Sequence, residues 1–185
     1  MMQARGLTSG LCSERALAVW PAPIARSLER VGEWWSILIL RDAFYGLTRF
    51  DEFQTSLGIA PNILTRRLNA LVEAGLLKRR RYSQRPPRYE YVLTERGRDF
   101  RPVMQAMLAW GNRHFAPKGA PVVIVNQETG EVADPVLIDR ISGRPLSDPV
   151  FRVAAGPGAD EEARKRTAAR NGAWKGDPPA IAPAS

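Results

Sequence analysis

Asn62, Thr65, Arg66 and Asn69 lie within a single short stretch, GIAPNILTRRLNALVEAG. At ~100° per residue they fall on one face of a helix. Each type can read a base edge: Arg pairs with guanine, Asn with adenine, and the Thr methyl packs on the methyl of thymine. No acid interrupts this face from Asn62 to Asn69. Leu64, Leu68 and Leu71 fall on the opposite side, which a core would bury. Pro61 suits a first helical turn, where a missing N–H costs nothing. Gly75 suits the end, where a left-handed residue closes the helix. A solvated surface helix with incidental arginines would share this pattern, so the neighbouring elements must decide.

Upstream, DEFQTSLG reads as a brief helix with Asp51 as N-cap and Phe53 and Leu57 facing inward. Gly58-Ile59-Ala60 is a tight turn. Short helix, turn and longer amphipathic helix form the helix-turn-helix order. Earlier still, PIARSLERVG places Ile24, Leu28 and Val31 on one face, with Gly32 at its end. WWSILILRDAFYG is apolar around most of its circumference and predicts a buried helix with Trp35, Leu38 and Ile39 in the core. Leu47 to Phe50 reads as short and extended.

Downstream, Leu76 to Tyr82 and Arg88 to Leu93 read as extended runs, the second with Tyr89, Tyr91 and Leu93 alternating with Glu90 and Val92 as strands do, joined by a tip at Ser83-Gln84-Arg85-Pro86-Pro87. Lys78, Arg79, Arg80, Arg81, Arg85 and Arg88 concentrate here against one acid, Glu90. A hairpin after a reading helix is a wing, and a basic wing suits phosphate contact or minor-groove insertion. The backbone and wing candidates are Arg49, Arg67, Arg79, Arg81, Arg85 and Arg88, with Arg67 on the flank of the reading face. Thr94 then caps one long helix to Phe115, with Pro102 early enough to be tolerated or to kink it. Its apolar stripe of Phe100, Val103, Met104, Met107, Leu108 and Trp110 is large for a small domain and points to pairing with a second copy. Plain core is the alternative.

The chain has 185 residues and a formal net charge of +8. That balance favours a polyanionic partner, nucleic acid before anionic membrane. Cys12 is the only cysteine and His114 the only histidine. An intramolecular disulfide, a cysteine-rich zinc site and Ser–His–Asp catalysis therefore have almost no raw material. No secretory signal and no run of roughly 20 apolar residues is present, so no membrane partner is expected. The expected organisation is a leader over 1–22, a winged helix-turn-helix over 23–116, a β-rich extension over 117–158, and a short helix with a disordered tail over 159–185. In the extension, Val122–Val125, Val136–Ile138 and Phe151–Val153 read as strands. Val125-Asn126, Thr129-Gly130 and Asp134-Pro135-Val136 are echoed by Ile138-Asp139, Ser142-Gly143 and Asp148-Pro149-Val150, two successive hairpin-like loops. Neither turn carries a cysteine or histidine, so metal binding is not expected.

These motifs, in this order, resemble the HxlR-type winged helix-turn-helix transcriptional regulators. Gly32-Glu33-Trp34-Trp35-Ser36-Ile37-Leu38-Ile39-Leu40-Arg41 is similar to that family's G-x-x-W-[ST]-x-x-I-L-R box. Arg49-Phe50-Asp51-Glu52-Phe53 resembles its R-F-x-x-[LF] segment. Ile59 to Leu68 resembles its I-[SA]-x-x-x-L-T-x-R-L core. Pro86 to Tyr91 with Leu93-Thr94 is similar to its wing, and Gly97 and Trp110-Gly111 to its dimerisation helix. The resemblance covers roughly residues 23–115. It implies a homodimer on a pseudo-palindromic operator, with recognition helices about 34 Å apart in successive major grooves. Base contact carries over to Asn62, Thr65 and Arg66. Two positions depart from the pattern. Many members place a cysteine just before the proline that opens the first helix, but here Ala22 precedes Pro23, so thiol sensing is not implied. Trp34 stands where Lys or Arg is common, and core filling is its favoured reading.

The fold class expected is mainly α with a small β wing. The function expected is sequence-specific regulation of transcription, by repression more than activation, by a cytoplasmic, nucleoid-associated homodimer that needs no cofactor. Non-specific nucleic-acid binding and a winged-helix protein-interaction module are the alternatives; an enzyme is not expected. Trp34, Trp35, Phe44 and Trp110 are candidates to line a small-molecule effector pocket, against the alternative that they fill the core.

Overall fold

The computed structural model describes residues 23–171. The expected leader with Cys12 and the expected disordered tail with Trp174 lie outside the described residues. Helices α1 (Pro23–Val31), α2 (Trp34–Phe44), α3 (Phe50–Leu57) and α4 (Pro61–Glu73) come first. A hairpin of β1 (Leu77–Gln84) and β2 (Pro87–Leu93) is next, then α5 (Glu95–Arg98), α6 (Arg101–Phe115) and α7 (Glu161–Asn171). The chain divides into one unit ending at Ala120 and a second beginning at Pro121.

The first unit is built on a core of Val31, Ile39, Leu40, Phe53, Ile59, Leu64, Leu68, Leu71, Leu76 and Leu77. The leucines of α4 are fully buried, which fixes which face of that helix remains outside. Its C-terminus closes as the sequence predicts. Gly75 adopts φ +70°, its N–H donates to the Val72 carbonyl and the Leu76 N–H donates to the Leu71 carbonyl. This is the Schellman pattern. Arg96 Nη1 adds a bond to the Ala74 carbonyl at 3.1 Å.

Several expectations are corrected. Helix α3 begins at Phe50, with Arg49 as N-cap. Asp51 lies in its first turn rather than capping it; the Glu52 carboxylate accepts from the Thr48 and Arg49 N–H groups, each at 2.9 Å. The hairpin is longer than expected. Pro87 pairs with Gln84 as the first residue of its strand, where a missing N–H is tolerated, and the tip shrinks to Arg85-Pro86. The long helix after the wing is two. Pro102 cannot donate to the Arg98 carbonyl, and its ring crowds that group, so the chain turns at Asp99–Phe100 and restarts as α6. Trp34 is 59% exposed, not core. The face shared by Ile24, Leu28 and Val31 buries only Val31. Buried Asp42, which takes Arg41 as its partner at 2.8 Å, was not foreseen.

Thr94 joins the wing to α5. Its hydroxyl donates to the Gly75 carbonyl at 2.6 Å and accepts from the Gly97 N–H at 3.0 Å. Gly97 is obligatory for a steric reason: an added Cβ would lie 2.1 Å from the Leu76 carbonyl oxygen.

In the second unit the expected strands reduce to single bridges, Val125 with Val132 and Ile138 with Pro145. Phe151–Val153 is irregular. The sequence echo survives as matched turns. The Gly130 N–H donates to the Asn126 carbonyl and the Gly143 N–H to the Asp139 carbonyl, both at 2.8 Å. Asp160 Oδ1 accepts from the Ala163 N–H at 2.7 Å and caps α7. No helix of the described residues is long and apolar enough to cross a membrane.

Candidate nucleic-acid interface

Asn62, Thr65, Arg66 and Asn69 are all exposed along the first turns of α4, opposite the buried leucines. Local bonds decide what each still offers. Asn62 Oδ1 accepts from the Ile63 N–H at 2.8 Å, which leaves its amide N–H donors for a partner. The Thr65 hydroxyl donates to the Pro61 carbonyl at 2.8 Å, so its methyl and its oxygen lone pairs are what remain. Arg66 has no ion pair or ring contact among the described residues. Glu73, also exposed, shares this azimuth two turns beyond Arg66. The acid-free face therefore ends at Asn69, which sequence reasoning had not weighed.

Arg67 does not extend along the flank as expected. Its Nη2 pairs with Glu33 Oε2 at 2.8 Å, and its side chain is only 16% exposed. Its azimuth lies closer to the leucine face than to Arg66, so the guanidinium turns inward toward the start of α2.

The wing sorts its cations. β1 and β2 pair antiparallel from Leu77 opposite Leu93 to Gln84 opposite Pro87, with an irregularity between Arg81 and Ser83. The backbone of Arg49 bridges Glu90, so the segment before α3 adds one rung to the hairpin. The Tyr91 N–H donates to the Thr48 carbonyl at 2.7 Å beside it. Arg80 is bound to Glu90 at 2.7 Å, and that guanidinium holds the Glu90 carboxyl below the usual range. Arg79 stacks over Tyr89 at 3.7 Å and Arg49 over Tyr82 at 4.9 Å. Those contacts orient the two arginines without neutralising them. Arg81, Arg85 and Arg88 are exposed and carry no ion pair among the described residues.

Further from the wing, no residue of α6 is buried. Val103, Met107 and Trp110, spaced by four and three positions, are 47%, 44% and 58% exposed. Met104 and Leu108 are half-buried, and Phe100 packs against the core. The four aromatics proposed for an effector fall into separate contacts. Trp34 stacks on Trp35 at 3.8 Å, Phe44 lies under Arg101, and Trp110 meets Phe115 edge-on.

The profile of the HxlR-like helix-turn-helix family matches residues 30–119, which hold the end of α1, α2 to α6 and the whole hairpin. An HTH-type transcriptional regulator of Mycobacterium tuberculosis is 41% identical over 136 residues, covering 73% of this chain and 86% of that one. Among solved structures, a candidate transcription factor of Pseudomonas aeruginosa, PA1374, is 59% identical, covers 78% of this chain and 99% of its own, and superimposes with a TM-score of 0.57. PA1607, also a candidate transcription factor, is 39% identical, covers 75% of this chain and 98% of its own, and superimposes with a TM-score of 0.66. The exposed, acid-free start of α4, the basic wing and these likenesses converge: the chain belongs to the HxlR-like helix-turn-helix family of transcriptional regulators.

Proposed function

We propose that this protein is a homodimeric repressor that binds a pseudo-palindromic operator in the cytoplasm. The observation that carries the proposal is the exposed, acid-free face of α4 whose reverse side is fully buried. Asn62, Thr65, Arg66 and Asn69 enter the major groove and read bases. Arg81, Arg85 and Arg88 track phosphates from the wing or enter the adjacent minor groove, with Arg79 and Arg49 held by their tyrosines alongside. The exposed stripe of α6 pairs with a second copy and sets the spacing of the two reading helices.

The test is selection of bound sequences from a random duplex pool at near-physiological salt. The expected result is an enriched inverted repeat with half-sites about one helical turn apart. Arg66→Ala should then weaken binding to that repeat by ~1–3 kcal/mol while changing random-duplex binding far less. Strong retention without an enriched motif would support the non-specific alternative. Equal loss on both duplexes would remove Arg66 from base reading.

A further inference from the structure

The Glu33–Arg67 pair sits at the elbow between α1 and α2, yet one of its members belongs to the reading helix. Glu33 is the N-cap of α2, with extended backbone at φ −77° and ψ 121°, and its side chain makes no cap hydrogen bond. Glu is not among the residues that cap well from this position, so its carboxylate is free to serve another partner. Here the carboxylate is committed to Arg67 of α4. The pair is asymmetric: Glu33 remains 58% exposed while Arg67 is 16% exposed. Arg67 Nε is buried and finds no hydrogen-bond partner. Glu33 is thus the only counter-charge that the described residues give a guanidinium drawn half into the protein.

The elbow itself is tight. The Gly32 N–H donates to the Leu28 carbonyl at 2.6 Å, and a Cβ on Gly32 would lie 2.3 Å from that oxygen. Glu33 is therefore presented from a fixed point on the scaffold. Arg67 is the residue directly after Arg66, so anything that rotates Arg67 about the helix axis rotates the base-reading face with it.

We infer that Glu33 and Arg67 are positioning residues: the pair tethers α4 at one azimuth and withholds one cation from the phosphate backbone, so that sequence preference is gained at the expense of non-specific affinity. Glu33 touches no DNA in this arrangement and acts through Arg67. Without the Glu33 charge a half-buried guanidinium has reason to leave its site, and its long stem can carry it outward beside Arg66 to a phosphate. The inference rests on the DNA-binding reading proposed above.

The test compares wild type, Glu33→Gln, and Glu33→Gln with Arg67→Gln, on the selected operator and on a random duplex across a salt series. Glu33→Gln should bind random duplex more tightly. Its salt slope should steepen by about 0.9, the increment of one added phosphate contact. The operator-to-random ratio should fall about five-fold, the low end of one disturbed base contact. Adding Arg67→Gln should return the slope to wild type, because the released cation is then gone. Thermal melting of each variant separates this from simple destabilisation, which would weaken both duplexes together and would overturn the inference. An unchanged slope and ratio in Glu33→Gln, with wild-type sequence preference intact, overturns it while leaving the regulator reading standing. A wild type with no sequence preference defeats both.

Discussion

Among the arginines of the wing, Arg80 differs from its neighbours in having an acid partner. Glu90 lies directly across the ladder from it and holds it at 2.7 Å, so one of the clustered positive charges is already neutralised. The pair is solvent-facing on the arginine side, and exposed pairs add little to stability. Its larger effect is on charge available to a polyanion. Glu90→Gln should leave the melting temperature nearly unchanged and raise affinity for any duplex, with the salt slope steeper by up to about 0.9. Filter binding across a salt series reads this directly, and a slope equal to wild type would show that Arg80 lies beyond reach of the phosphates. Residue types were the most legible part of the sequence. The four base-reading candidates and the basic wing come from composition and helical period. What the sequence hid was which arginines are engaged. Arg67 and Arg81 look alike in a string of letters, and only the fold places Glu33 against the first and leaves the second open.

At the scale of elements, the turn into α3 shows how a local rule can be right in kind and displaced in place. Asp51 has the chemistry of an N-cap, but Glu52 does the capping from inside the helix, through the N–H groups of Thr48 and Arg49. Those two bonds favour the ionised form, and Glu52 has its pKa lowered by them. A carboxyl whose folded pKa lies below its unfolded value stabilises the fold at neutral pH, and the contribution is lost as pH falls through the folded pKa. Glu52→Gln should therefore lower the melting temperature at pH 7. The gap to wild type should begin to narrow as pH drops below the ordinary glutamate value of about 4.3 and close as pH falls through the lower folded pKa. A gap that persists unchanged at pH 3 would assign the effect to packing instead. Because the Thr48 and Arg49 backbones also add the extra rung to the wing, this cap ties α3 to the hairpin. The two other elements that sequence period misread, the hairpin tip and the helix after Thr94, both turn on prolines. Pro87 can begin a strand and Pro102 can begin a helix, and period alone does not say which side of a boundary a proline will take.

The whole molecule has more apolar surface on α6 than its own core uses. A helix of 15 residues with no buried position is held less by packing within its own unit than α2, α3 and α4, each of which buries at least one side chain. Val103, Met107 and Trp110 run along it at i, i+4 and i+7, the spacing of a helix-pairing seam. Two-fold pairing of this stripe, as proposed, would bury it on both copies and carry the two α4 helices together, which is what an inverted repeat requires. The stripe was legible in the sequence; that it stays uncovered within one copy was not, because period marks an apolar face without saying what meets it. Met107→Glu places a charge at the middle of that seam, where pairing would have to desolvate it. Sedimentation should show a dimer for wild type and a monomer for the variant at the same concentration, with the near-ultraviolet signal of Trp35, which packs against the core, retained. Binding to the two-half-site operator should fall steeply. Binding to an isolated half-site should be nearly unchanged, since α4 and the wing are intact in each copy. A variant that remains dimeric would place the pairing surface elsewhere, with exposed Ile24 and Leu28 of α1 the next face to charge. A variant that is monomeric yet binds the full operator as tightly as wild type would break the link between pairing and recognition, and the regulator would then read each half-site alone.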